Sequence, residues 1–189
     1  LVASLILIAT TTMMGHGAAT ELEAPWILDY THNLLSSIWI GGVIFFAFVA
    51  LPTITKTDNS TKEKIVLSLI PRFSGLFIIA IGILIITGPT LLWFLDDNVS
   101  SLTESTYGKL IMLKIGIAIS MIAFGGSYQV KFLGKMKDYE KLNISKKISK
   151  PLKIEAGLGI ALLAVVALLV NSSLPAGEIQ SADALQPTF

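Results

Sequence analysis

The sequence predicts an all-α protein: a polytopic membrane bundle of four full transmembrane helices, with a partial or fifth helix at the N-terminal end. Three observations predict it. Mean hydropathy is +0.74 and only 14% of residues are charged, where a soluble domain carries about 25%. Four apolar runs, roughly Trp26–Leu51, Pro71–Leu95, Tyr107–Phe132 and Ile148–Val170, are each long enough to cross about 30 Å of hydrocarbon at about 1.5 Å per helical residue. None alternates polar and apolar residues with period two, which disfavours a β-barrel.

Taken in order, the first run, Leu1–Met14, is too short to span alone. It is either a truncated helix or the apolar region of a signal peptide, since Gly17-Ala18-Ala19 offers the small residues a signal peptidase accepts. The helix is favoured. Residues 1–19 therefore form an N-terminal apolar segment, 20–175 the transmembrane bundle, and 176–189 a tail. Between the spans the polar stretches are short, with no room for a soluble domain.

The net charge of +1 conceals a strong sidedness. Lys56, Lys62, Lys64 and Arg72 lie at the start of or just before the second span. Lys131, Lys135, Lys137, Lys141, Lys146, Lys147, Lys150 and Lys153 lie between the last two. These are twelve of the fourteen basic residues. The positive-inside rule makes that side cytoplasmic. Residues 15–25, the 96–106 loop and the tail, which carry Glu21, Glu23, Asp96, Asp97, Glu104, Glu178 and Asp183, are then extracytoplasmic. The localisation expected is a multi-pass protein of the cell membrane. The lysine-rich loop is read as a topological determinant near anionic lipid. It lacks the interleaved aromatics of a nucleic-acid surface, so no nucleic acid is expected as a partner.

Ionisable groups inside spans cost roughly 2.5–3.5 kcal/mol at the centre, so those present pair or act. Asp29, His32, Ser36 and Trp39 follow helical spacing and line one face of the first span. Lys114 reaches a similar depth in the third. A neutral imidazole suits copper or haem iron, with the Asp29 carboxylate completing the site or fixing the tautomer. The competing reading is an Asp29–Lys114 ion pair with His32 as a structural hydrogen-bonder. His16 in MMGHG, beside Met13 and Met14, offers a soft ligand set for Cu(I), or an ordinary flexible turn. In the inner layer, Pro71 opens a helix and Arg72 snorkels to headgroups. Glu155 pairs with Arg72 or a lysine, or is held protonated. Gly41 and Gly42 allow close approach of another helix, as do Gly125 and Gly126. Gly88-Pro89 bends or loosens the second span. Met112 and Met121 are packing residues. Without cysteine there is no thiolate site, and without a phosphate loop, nucleophile triad or HExxH there is no case for a hydrolase.

The ordered set His32-(six residues)-Trp39-Ile-Gly-Gly, Pro52, PRFSG at 71–75, TG at 87–88, YGKLIMLK at 107–114, KIEAGLG at 153–159 and the closing NSSLPAG resembles the copper resistance protein D family over residues 26–175. The resemblance implies a multi-helix membrane protein of copper uptake or homeostasis, not an enzyme. By position it points to His32, Trp39, Gly41, Gly42, Arg72, Phe73, Tyr107, Gly108, Lys114 and Glu155. Of these, only His32 is a natural copper ligand. Larger family members carry further spans and a fused or partnered periplasmic copper-binding domain. Below His32 the soft ligands are Met121 and Met136 alone, which speaks for a site near the outer surface over a path across the bilayer. The expected metal set is thus His32, Asp29, His16 and Met14, with copper as the ion and haem as the weaker alternative. The lipid bilayer, an extracytoplasmic copper carrier, and other membrane subunits or a second copy are the partners to consider. Two further functions stay open: an accessory helical subunit of a larger copper-dependent membrane complex, and a haem-binding membrane protein.

Overall fold

The computed structural model describes residues 2–13, 23–95, 105–133 and 144–172. Every regular element among them is helical. Four helices are long and apolar enough to cross a membrane, over Pro25–Thr55, Pro71–Phe94, Thr106–Tyr128 and Ser149–Val170, as the hydropathy runs require. The tail at 176–189 lies outside the described residues.

Helix α1 (Val2–Met13) precedes α2 (Glu23–Phe45), which passes without a break through a π-helical turn, Phe46–Ala50, into α3 (Leu51–Thr55). The wide turn has a local cause. Pro52 lacks an N–H and its ring crowds the carbonyl one turn back. The turn before it opens, so that the Leu51 N–H bonds the Phe46 carbonyl, five residues earlier.

Helix α4 (Asn59–Leu95) departs from the expectation of a loop ending where Pro71 opens a helix. Only residues 56–58 turn, and Pro71 and Pro89 both lie inside the continuous helix. The start is fixed by Asp58, whose Oδ2 accepts the Thr61 N–H at 2.9 Å, an N-cap that anchors the chain well before the membrane. Each interior proline removes a single backbone hydrogen bond, a cost confined to its own turn. Helix α5 (Thr106–Leu133) is capped by Ser105. Its hydroxyl accepts the Gly108 N–H at 3.0 Å, and its carbonyl accepts the Lys109 N–H at 3.1 Å. Helix α6 (Ile144–Val170) carries Pro151 two turns from its start.

The central helix is α2, packed against α1, α4 and α6, while α5 packs on α6. Trp39, Ile40, Val43 and Ala47 form the core with Met121 of α5 and Ala156 and Leu162 of α6, and Phe77, Ile81 and Leu84 of α4 close over it. Met121, fully buried, is a packing residue as expected. The outward faces are apolar too, with Ile79 and Ile86 on α4, Leu113 and Ile119 on α5, and Leu163 and Leu168 on α6 all exposed. Lipid is the solvent such a surface requires.

Of each glycine pair, one member makes a close approach among the described residues. A Cβ on Gly42 would lie 2.6 Å from Cζ of Phe77, and one on Gly125 would lie 2.6 Å from Oε1 of Glu155. Gly41 and Gly126 meet nothing within 4 Å among the described residues, so the close approaches expected at these pairs are seen there at one member of each. Neighbouring residues on a 3.6-residue helix point about 100° apart, so two in succession cannot face the same partner. A third close approach, at Gly159 of α6 against Ile40 (3.1 Å) and Met121 (3.5 Å), completes the seam between α2, α5 and α6.

Candidate functional site at the His32 end

His32 projects from α2 onto α4. Its Nδ1 lies 2.9 Å from Oγ1 of Thr87, a residue buried to 4% exposure. The Thr87 hydroxyl reaches back to the Ile83 carbonyl at 3.0 Å. Beside it, a Cβ on Gly88 would stand 3.5 Å from Cε1 of the imidazole, so the ring rests where α4 presents bare backbone. Nε2 takes no hydrogen bond from the described residues. Among the described residues the ring is therefore anchored through Nδ1 alone.

Asp29, one turn nearer the helix start, is engaged differently. Its Oδ1 accepts a hydrogen bond from Asn33 Nδ2 at 3.2 Å. Asn33 Nδ2 also stands 3.4 Å from Oγ1 of Thr12, which is fully buried and donates to the Ile8 carbonyl at 2.9 Å. This polar link ties α1 to α2. Across the bundle, the charge of Asp29 acts on Lys114 and on Tyr107, and the charge of Lys114 acts on His32. Tyr107, Ile111 and Lys114 share a face of α5 through i, i+4 and i+7 spacing, a register set by the Ser105 cap. Asp29 thus shares a neighbourhood with Lys114 and Tyr107 as well as with Asn33.

Trp39 is buried in the core one turn below Ser36. Trp26 stacks on Tyr30 with ring centroids 6.0 Å apart, and Trp93 of α4 is exposed at the same end, an arrangement suited to a membrane–water interface. His16, Met14 and Met136 lie outside the described residues. No group of three or more His, Asp or Glu side chains able to hold a metal occurs among those described. At the opposite end of the bundle, Arg72 is exposed, and Glu155 lies against Gly125 with no hydrogen bond or ion pair among the described residues, so the structure does not bring Arg72 and Glu155 together.

Three residues of this site were not assigned a role from sequence. Thr87 stands in the TG motif, where its hydroxyl next to a bare glycine is the signal of a ring seated above it. Asn33 and Thr12 gave no signal: their meeting depends on how α1 lies on α2, which no periodicity encodes.

A profile of the family described as "Copper resistance protein D" matches residues 67–169. The chain is 29% identical over 170 residues to "Copper transport protein CutJ" of Bacillus subtilis (strain 168), an alignment covering 89% of this chain and 29% of that protein. It is 22% identical over 172 residues to "Copper resistance protein D" of Pseudomonas syringae pv. tomato, covering 87% of this chain and 55% of that one. The chain thus spans under a third of the first relative and a little over half of the second. No solved structure matches it. The profile covers more than half of the sequence, on the helices α4, α5 and α6 that surround the seats of His32 and Glu155, and the chain belongs to the copper resistance protein D family.

Proposed function

We propose that this chain handles copper at the membrane, in uptake or homeostasis, through a site centred on His32 in the extracytoplasmic half of the bundle. The observation that carries the reading is the His32 ring itself. It is held by Thr87 beside Gly88 of α4, with no hydrogen bond to Nε2 from the described residues. Neutral imidazole nitrogen is a good copper donor, and both curated relatives are named for copper.

One nitrogen does not make a site, and the remaining donors are assigned to His16 and Met14. Thr12, at the end of α1, stands 3.4 Å from Asn33, the neighbour of His32. His16 follows Thr12 by four residues, a reach of up to about 14 Å of extended chain. Asp29 serves as counter-charge to Lys114 and lowers the electrostatic cost of a cation at His32. Lysine sidedness supports placing the His32 end outside and the lysine-rich end in the cytoplasm. An extracytoplasmic carrier would then deliver to or receive from His32. Further membrane subunits or a second copy fit against the apolar outer faces.

The test is equilibrium titration of the purified full chain with Cu(I) and Cu(II), beside the variants His32→Ala, His16→Ala and Asp29→Asn. Copper bound in stoichiometric amount by the unaltered protein and lost in His32→Ala supports the reading. Unchanged binding in His32→Ala overturns it.

A further inference from the structure

We infer that Thr87 is a positioning residue that fixes the tautomer of His32, placing the ring proton on Nδ1 and leaving the Nε2 lone pair for a metal. This inference rests on the reading that His32 holds copper, but its structural half stands independently.

A neutral imidazole carries one proton shared between two nitrogens, and a threonine hydroxyl has one hydrogen to give. Two arrangements fit the observed distances. In the first, the Thr87 hydroxyl donates to the Ile83 carbonyl at 3.0 Å, and its oxygen accepts the proton of Nδ1 at 2.9 Å. In the second, the hydroxyl donates to Nδ1, the contact to Ile83 is no longer a hydrogen bond, and the ring proton sits on Nε2. There it would be a donor without an acceptor among the described residues.

The first arrangement keeps one more hydrogen bond and strands no N–H. In surroundings of low polarity an unmatched donor is the costlier defect. Water favours the opposite tautomer for a free imidazole, so the bias belongs to this helix pair. Gly88 lies beside the seat: a Cβ there would stand 3.5 Å from Cε1, an ordinary contact, so the hold on the ring is the Thr87 hydroxyl and not the missing side chain. Metal-bound histidines are commonly held in this way, through the nitrogen that does not bind the metal. Here the holding group is a hydroxyl on a neighbouring helix, 55 residues away in the chain.

The experiment is nitrogen NMR of the full chain labelled at histidine and free of metal, with the His32 signals assigned by their loss in His32→Ala. The expected pattern is a protonated Nδ1 and a bare Nε2. Thr87→Val should shift the population toward the opposite tautomer and weaken copper binding roughly 10- to 100-fold, as loss of outer-shell partners does elsewhere. Thr87→Ser should restore both. A proton found on Nε2 in the unaltered protein overturns the inference, whatever the variants do. So does a Thr87→Val protein that keeps the Nδ1–H pattern. If the tautomer is as inferred but His32→Ala retains copper, the copper reading fails and Thr87's control of the ring remains.

Discussion

Replacing Gly42 and Gly41 by alanine, one at a time, should move stability in opposite directions. A methyl on Gly42 would enter the Phe77 ring, 2.6 Å from Cζ and 2.8 Å from Cε1, well inside van der Waals contact. Phe77 cannot simply withdraw. It stands edge-on to Phe73 with centroids 6.0 Å apart, and Phe73 in turn meets the buried Phe46 at 4.5 Å. The clash therefore passes through three rings into the π-helical turn. Overpacking of this kind costs about 1–3 kcal/mol, against a gain of about 1 kcal/mol from removing a helical glycine. The net expectation for Gly42→Ala is a loss of up to about 2 kcal/mol. Gly41→Ala meets open space and keeps only the gain. The assay is loss of helical signal on denaturant titration of the detergent-solubilised protein. Phe77→Leu should suppress much of the Gly42→Ala defect, a coupling readable as a double-mutant cycle. Equal shifts for the two alanines, or no coupling with Phe77, would refute the packing described for α2 against α4.

Three other outcomes follow from the same geometry. Gly88→Ala should be tolerated, since its Cβ would sit 3.5 Å from His32 Cε1, an ordinary contact. Gly88→Leu should push the ring off α4 and abolish copper binding while the helical signal persists. Asn33→Leu removes the link between Asp29 and Thr12 and should lower stability by about 1 kcal/mol. In that background Thr12→Val should cost little more, whereas full additivity in the denaturant titration would contradict the link. Gly125→Ala should destabilise by displacing the Glu155 carboxylate. Adding Glu155→Ala should recover part of that loss, and no recovery would contradict the contact.

Much of this was legible in the sequence because the bilayer enforces it. Apolar runs long enough to cross hydrocarbon have few options other than helix: the run Ile148–Val170 matches the span Ser149–Val170 to one residue, whereas Trp26–Leu51 stops four residues short of Thr55. Helix starts were less legible. Pro71 looked like an opener, but Asp58 capped the helix far earlier, because a capping carboxylate acts at one backbone position and carries no periodic signature. Helical spacing rightly put His32 and Trp39 on the inward side. It could not say that His32 would meet Thr87, which depends on the axial register of α2 against α4. The same limit explains the glycines: the doublets mark close crossings, but only the rotation of each helix decides that, among the described residues, Gly42 and Gly125 are the members that face a neighbour. For Asp29 and His32, adjacent on one face, the spacing left two readings, a shared metal site or an Asp29–Lys114 pair with His32 as a structural hydrogen-bonder; packing puts Asp29 against Asn33 and His32 against Thr87.

The central claim is that His32 is a copper ligand. Copper X-ray absorption on the loaded full chain in lipid tests it most directly, through the multiple-scattering signature of a coordinated imidazole. The account predicts that signature in the unaltered protein, its retention at reduced occupancy in Thr87→Val, and its loss in His32→Ala. A loaded His32→Ala protein whose spectrum matches the original would contradict it.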